Sequence, residues 1–341
     1  MGEVGGRGRW LLRSGPALLL ALAVAFPLAL PGPAMVNAGV FTLMYVGLAT
    51  AWNVIGGYSG YISLGHAGFF GFGAYALGLI VTRAHVPAGI DVFLLVPVAG
   101  LLTALLAVPV GWVALRTREA TFVIVTIAVM FMLQILATNL RDITGGSQGL
   151  AFPVPQWGAA FDVPFYYAML ALAVVSLAVS WAIRRSRFGL GLLAIRDDED
   201  RARSLGVRTE AAKLAAFVVS VSLVGAIGAV YGYYVTYIYP QFVIDPLIGI
   251  AMVLMAFLGG MGTLAGPVLG ALILEPAQLY FPYGLGQSRL YLVVYAAVFL
   301  VVILLLPRGI VPTLADRLES WRARLAAGGE RPGPVNEAAD P

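Results

Sequence analysis

Long apolar runs separated by short polar interruptions dominate the chain, and they fall at about 15–31, 35–55, 63–82, 92–115, 120–140, 165–183, 214–238, 246–258, 263–281 and 289–306. Most approach the roughly 20 residues that a helix needs to cross the hydrocarbon core of a bilayer. In lipid a backbone has to satisfy its own hydrogen bonds, which a helix does within one segment. A β-barrel would need polar residues at every second position, and runs such as LYLVVYAAVFLVVILLLP do not alternate. The pattern predicts an all-α polytopic membrane protein of about ten transmembrane helices, some short or broken. The eighth run is too short to span comfortably and passes into the ninth through GGMGTLAGP, so these two are expected as half-helices or one interrupted helix. The count is nine or ten.

Composition agrees with the pattern. Of 341 residues, 60% are hydrophobic and 11% charged, against roughly 25% charged in soluble domains. Without cysteine there are no disulfides, thiolate metal sites or cysteine nucleophiles, and His66 and His85 are too few for a His-based metal centre. No metal site and no catalytic residue are expected. The formal charge of +4 reflects basic loops retained on the cytoplasmic side rather than a nucleic-acid partner.

The basic residues also give an orientation. Arg7, Arg9 and Arg13 precede the first run, Arg116 and Arg118 follow the fourth, and a charged island from Arg184 to Lys213 follows the sixth. Placing all three in the cytoplasm is self-consistent. Ten crossings then also put the tail with Arg308, Arg317, Arg322 and Arg324 in the cytoplasm, which favours ten over nine. The expected organisation is a cytoplasmic N-terminus at 1–14, a transmembrane domain at 15–307 with a cytoplasmic loop at 184–213, and a cytoplasmic, partly disordered tail at 308–341. The loop from Arg141 to Pro164, rich in Gly, Pro and aromatic residues, faces outside. PALLLALAVAFPLALP near the start is read as a retained first helix rather than a cleaved signal.

Two glycine clusters interrupt the apolar pattern. Gly56, Gly57, Gly60, Gly65, Gly68, Gly71 and Gly73 crowd the junction of runs two and three, and Gly259, Gly260, Gly262, Gly266 and Gly270 that of runs eight and nine. Such residues let helices approach closely, or they mark unwound backbone lining a pathway inside protein. Both readings stay open. Asn53, Gly57, Gly60, Ser63, Gly65, His66, Gly68, Gly259, Gly260 and Gly262 are therefore candidates for pathway or helix packing. An intramembrane histidine such as His66 is a functional candidate by default, against the plainer reading that it bridges helices.

The island carries eight basic residues, Lys213 being the only lysine of the chain, against Asp197, Asp198, Glu199, Asp200 and Glu210. LLAIRDDEDRARSL has no Gly or Pro and predicts a short surface helix, with Gly206 as its stop. A solvated positive loop accounts for the arginines but not for the acidic run. A helix docking in a groove of a cytoplasmic ATPase accounts for both, mixed charge serving register and specificity. No phosphate-cradling Gly-x-x-x-x-Gly-Lys motif occurs.

GYSGYISLGHAGFFGFGAY ending at Tyr75, TGGSQGL at 144–150, SRFGLGLLAIRDDEDRARSLGV at 186–207, KLAAFVVSVSLVGAIGAVYG at 213–232 and GGMGTLAGPVLGA at 259–271 together resemble the LivM-type permeases of ABC importers for branched-chain amino acids. The resemblance implies an inner-membrane, multi-pass permease, itself no enzyme, paired with a second permease subunit, two cytoplasmic ATP-binding subunits that hold ATP and magnesium, and an extracytoplasmic solute-binding protein. It also makes 186–207 the coupling loop, with Arg196, Asp197, Asp198, Glu199, Arg201, Leu205 and Gly206 as coupling residues. The chain departs from the family pattern at Arg201-Ala202-Arg203, where acidic or small residues are commoner. Urea or a short amide is an alternative cargo. An ion-coupled secondary transporter would need buried carboxylates, for which Asp245 and Glu275, near predicted helix ends, are the candidates. An enzyme acting on lipid-linked substrates would need grouped carboxylates, found only at 197–200 and more simply read as solvated.

Overall fold

The computed structural model describes residues 4–29, 32–284 and 308–327 and the isolated positions 297 and 300. The tenth apolar run, 289–306, and the tail beyond 327 therefore lie outside the described residues, but for those two positions. The long elements are α1 (Val4–Ala29), α2 (Pro33–Ser59), α3 (His66–Arg83), α4 (Val96–Ala114), α5 (Glu119–Asn139), α6 (Asp162–Arg185), α7 (Arg187–Asp197), α8 (Glu199–Ser204), α9 (Thr209–Val235), α10 (Pro246–Gly259), α11 (Gly266–Gly284) and α12 (Ile310–Ala327). Proline stands in the first turn of α2, α4 and α10, where its missing N–H has no intrahelical partner to lose.

Among the described residues, six helical stretches are long and apolar enough to cross a bilayer: Pro33–Ser59, Ile90–Ala114, Ala120–Asn139, Gly158–Arg185, Thr209–Val235 and Pro240–Gly259. The protein is an all-α polytopic membrane protein. Helix α3 is not among these six, and most of its residues are buried among other helices. By contrast α4 and α5 turn Leu101, Leu105, Ile124 and Ile135 outward, as helices solvated by lipid do. Helix α1 begins at Val4, well before its expected start, and includes the apolar stretch Ala17–Ala29. One element departs from all-α: β1 (Leu150–Ala151) pairs antiparallel with β2 (Tyr237–Ile238), tying the 141–164 loop to the end of α9.

Close contacts fix the relative directions of the helices. Phe70 and Ala74 of α3 meet Gly228 and Gly232 of α9 in the same order, so these two run parallel, while Thr103 and Gly111 of α4 meet Gly225 and Phe217, so α4 runs against them. Gly39, Gly47 and Tyr58 of α2 meet Tyr166, Ala173 and Ser180 of α6, again parallel. Helices α2 and α6 thus share one direction, and α3 and α9 share another. Met255 packs on Gly270 and Gly259 on Gly266, which makes α10 and α11 an antiparallel helical hairpin around the turn 260–265. They are two helices, not one interrupted helix. The core is built from α2, α3, α6 and α9, with Trp52, Phe70, Phe165 and Tyr233 at its centre.

Candidate functional site

The charged island folds into two helices rather than the single one expected. Helix α7 stops at Asp197, and Asp198 adopts an extended backbone (φ −164°, ψ 109°). Its side chain then caps α8 by accepting from Arg201 N, and it pairs with Arg201 Nε at 3.0 Å. A carboxylate that can bond the next turn's free N–H groups competes with continuing the helix, so the acidic run itself breaks it. Helix α8 closes as the sequence predicts. Gly206 N bonds Arg203 O at 3.0 Å and Val207 N bonds Ala202 O at 3.1 Å, with Gly206 at φ +89°. This is the double bond pattern that requires a left-handed residue after a helix end. Space around Gly206 is open, so its backbone conformation alone calls for glycine.

The loop is fastened to the ends of the transmembrane helices at three points. Arg196 Nη1 donates to Gly57 O at 2.8 Å, and its side chain packs on Gly60 and Gly262, where Cβ atoms would crowd or collide with it. Arg196 thus touches both glycine turns, 60–65 and 260–265. The second fastening is a buried ion pair: Lys213 Nζ lies 2.7 Å from Glu199 Oε1, 2.9 Å from Tyr61 Oη and 4.4 Å from the Tyr61 ring centre, while Tyr61 Oη donates to Glu199 Oε2. The Lys213 side chain is 2% exposed and that of Glu199 11%. Burial pushes the Glu199 carboxyl up, but hydrogen bonds from Lys213 and Tyr61, with the charges of Lys213 and Arg118, outweigh it and hold the group below its ordinary value. Thirdly, Arg118 between α4 and α5 grips Asp200 with two bonds of 2.9 and 3.2 Å, which lowers the Asp200 carboxyl and raises the guanidinium. That pair is exposed and adds geometry more than stability.

The sequence-predicted coupling residues therefore divide. Arg196, itself exposed, and the largely enclosed Glu199 fasten the loop to the helix ends, and Asp198 and Gly206 shape it. Asp197, Arg201 and Leu205 stand exposed, Leu205 at 85%, an apolar side chain held out by a loop fixed on its other face. The acidic run is not uniformly solvated, since Glu199 is half-buried against Lys213 and Tyr61.

The glycine candidates are brought together by α2. Asn53 Nδ2 donates to Thr263 O at 2.9 Å and its Oδ1 accepts from Gly262 N at 2.8 Å, clamping the 260–265 turn. Ser63 Oγ and Ser220 Oγ lie 2.9 and 2.8 Å from the two ring nitrogens of His66, Ser220 donates on to Ala51 O, and Trp52 Nε1 donates to Ser63 O. His66 thereby ties α3 to α9 and α2, a bridge between helices. Gly65 packs on Thr126, Gly68 on Met130 and Gly259 on Gly266, and Gly260 packs on Pro312 of α12. The chain does unwind between α2 and α3, yet the unwound Tyr61 and Ser63 are buried in protein. Each of these residues packs against a neighbouring element.

The chain matches, over residues 34–303, the profile of a family described as branched-chain amino acid transport system / permease component. It belongs to that family. It is 29% identical over 283 residues to the high-affinity branched-chain amino acid transport system permease protein LivM of Escherichia coli (strain K12), covering 75% of this chain and 65% of the relative's length. The corresponding LivH of Salmonella typhimurium is 28% identical over 297 residues, covering 81% of this chain and 94% of the relative. The autoinducer 2 import system permease protein LsrC of Photorhabdus luminescens shares 30% identity over 107 residues, 30% and 32% of the two chains. No solved structure matches.

In this family member one cavity of about 300 Å³ lies beside the loop, between Trp112, Arg116, Glu210 and Leu214. A second, of about 240 Å³, opens between α2, α9, α10 and α11 and holds Glu275. Glu275 was expected near a helix end; it sits instead at the midpoint of α11 and is 4% exposed, because the turn 260–265 lets α11 begin at Gly266 and continue to Gly284. Asp245 does stand at a helix end, capping α10 through Leu247 N at 2.8 Å. Among the described residues no three His, Asp or Glu side chains converge as a metal site would need. Sequence reasoning missed Lys213, Tyr61, Arg118 and Asp200. The available signal was the solitary lysine at the head of an apolar run.

Proposed function

We propose that the chain is a transmembrane permease subunit of an ABC importer for branched-chain or related amino acids, in a bacterial-type inner membrane, with ten crossings and both termini cytoplasmic. It pairs with a second permease subunit, receives solute from an extracytoplasmic binding protein, and is driven by two cytoplasmic ATP-binding subunits that hold ATP and magnesium. The observation that carries this reading is the loop 187–206, fastened inward by Arg196 and the Glu199–Lys213 pair while Arg201 and Leu205 stand outward. A motor pressing on Leu205 would move a rigid lever joined to α2, α9 and both glycine turns, and so alternate access to the pathway. Family membership and the likeness to LivM and LivH support the same assignment.

Affinity purification of the chain in mild detergent tests it: an ATP-binding protein and a second permease are expected to copurify, and recovery of the chain without any ATPase counts against the proposal. Buried Glu275 favours one second reading, an ion-coupled secondary transporter, since an intramembrane carboxylate is the group such a carrier needs. Urea or short amides remain the alternative cargo for the ATP-driven reading.

A further inference from the structure

The cavity between α2, α9, α10 and α11 has walls of two kinds. Phe41, Met44 and Ile248 are apolar, whereas Glu275, Gln278 and Tyr231 bring polar atoms. Its volume of about 240 Å³ is roughly that of eight waters, the scale of one free amino acid. Glu275 enters it from the middle of α11, and its Oε2 has no hydrogen-bond partner among the described residues. No described Lys, Arg or His pairs with it.

That arrangement is hard to explain as structure. The largely enclosed carboxylate of Glu199 has an ammonium and a phenol on it, Asn53 uses both ends of its amide and His66 both ring nitrogens, and the other unpartnered buried atoms among the described residues are neutral hydroxyls, those of Thr50, Tyr75 and Ser176. A carboxylate kept in a membrane bundle with an oxygen unpartnered among the described residues points to a partner that comes and goes. The cavity's place in the bundle agrees. Phe41 and Met44 lie sixteen and thirteen residues before the Gly57 that Arg196 grips, about 20 Å along α2 at 1.5 Å per residue. The cavity thus lies in the half of the bundle away from the charged loop, the half reached first by a solute delivered from the far side.

We propose that this cavity is a cargo subsite in which the Glu275 carboxylate takes the ammonium group of an amino acid while Phe41, Met44 and Ile248 enclose its aliphatic side chain. The inference rests on the importer reading and deepens it. A site built around an unpaired acid selects a cationic nitrogen, so it favours amino acids over urea and neutral amides, which cannot neutralise the carboxylate.

The test uses the assembled transporter in membrane vesicles. The chain has no cysteine, so Ile248→Cys gives it one thiol, in the cavity wall, whose alkylation by a small maleimide is followed with leucine and with 4-methylpentanoate, the same skeleton lacking the amine. Leucine is expected to slow labelling about fivefold at a concentration of about four Kd, and 4-methylpentanoate to leave it within about twofold. Equal protection by both, or none by leucine, overturns the proposal. Adding Glu275→Gln should remove the leucine protection, and its persistence would also overturn it; if that variant does not assemble, the comparison of the two probes decides alone. Labelling needs no ATP, so a failure of the importer reading appears separately, as absence of ATP-driven uptake by the unmodified assembly.

Discussion

Lys213 and Glu199 show how a single pair decides what the charged loop can do. An ammonium 2% exposed is tolerated because a carboxylate lies at 2.7 Å and a tyrosine supplies both a hydroxyl and a ring face. Removing one partner leaves the other charge buried and alone, so Glu199→Gln is expected to cost about 3 kcal/mol, read as a lower midpoint of thermal unfolding in detergent. Replacing both, Glu199→Leu with Lys213→Met, should restore most of that stability and still lower solute moved per ATP, because the link from α8 to α9 is gone while packing is kept. Recovery of coupling in the double variant would mean that the pair only stabilises. The pH dependence follows from a carboxyl held below its ordinary value. Its stabilising contribution is fully present above the unfolded pKa of about 4.3 and is lost as pH falls through the lower folded value, so stability from this fastening should be unchanged from neutral pH down to the approach of that unfolded value and fall below it.

Loop α7–α8 works through its shape as much as through its charges. Asp198→Ala removes the cap of α8 at about 1 kcal/mol, and Gly206→Ala strains a left-handed position by about 1–2 kcal/mol without touching any neighbour. Both changes should raise hydrogen exchange at 199–207 and uncouple ATP hydrolysis from uptake in reconstituted vesicles; unchanged coupling with raised exchange would remove the loop from the transmission path. The helix stop at Gly206 was legible in the sequence because glycine after a helix-forming run has one common cause. The break at Asp198 was not, since four consecutive acidic residues all look like solvated helix until one of them is seen bonding the next turn. Nor was the burial of Lys213. It depends on Tyr61 and Glu199, distant in the chain, arriving at the same place.

Across the bundle, the apolar runs foretold the helices because lipid allows little else, and the parallel running of α3 with α9 agrees with the crossings that the basic loops imply. What could not be read was which face of each helix meets protein. The glycine clusters read equally as pathway and packing, and the contacts between backbones show where they pack; Glu275 looked like a helix-end acid and proved to be buried at mid-helix. That last fact sharpens the choice between a driven conduit and a self-powered carrier. Solute accumulation in liposomes, measured with ATP supplied to the assembled complex and, separately, with only a proton or sodium gradient across liposomes holding this chain alone, decides it. Uptake is predicted to require ATP and the partner subunits, with none driven by the gradient, whereas accumulation by the lone chain under an ion gradient would contradict the account.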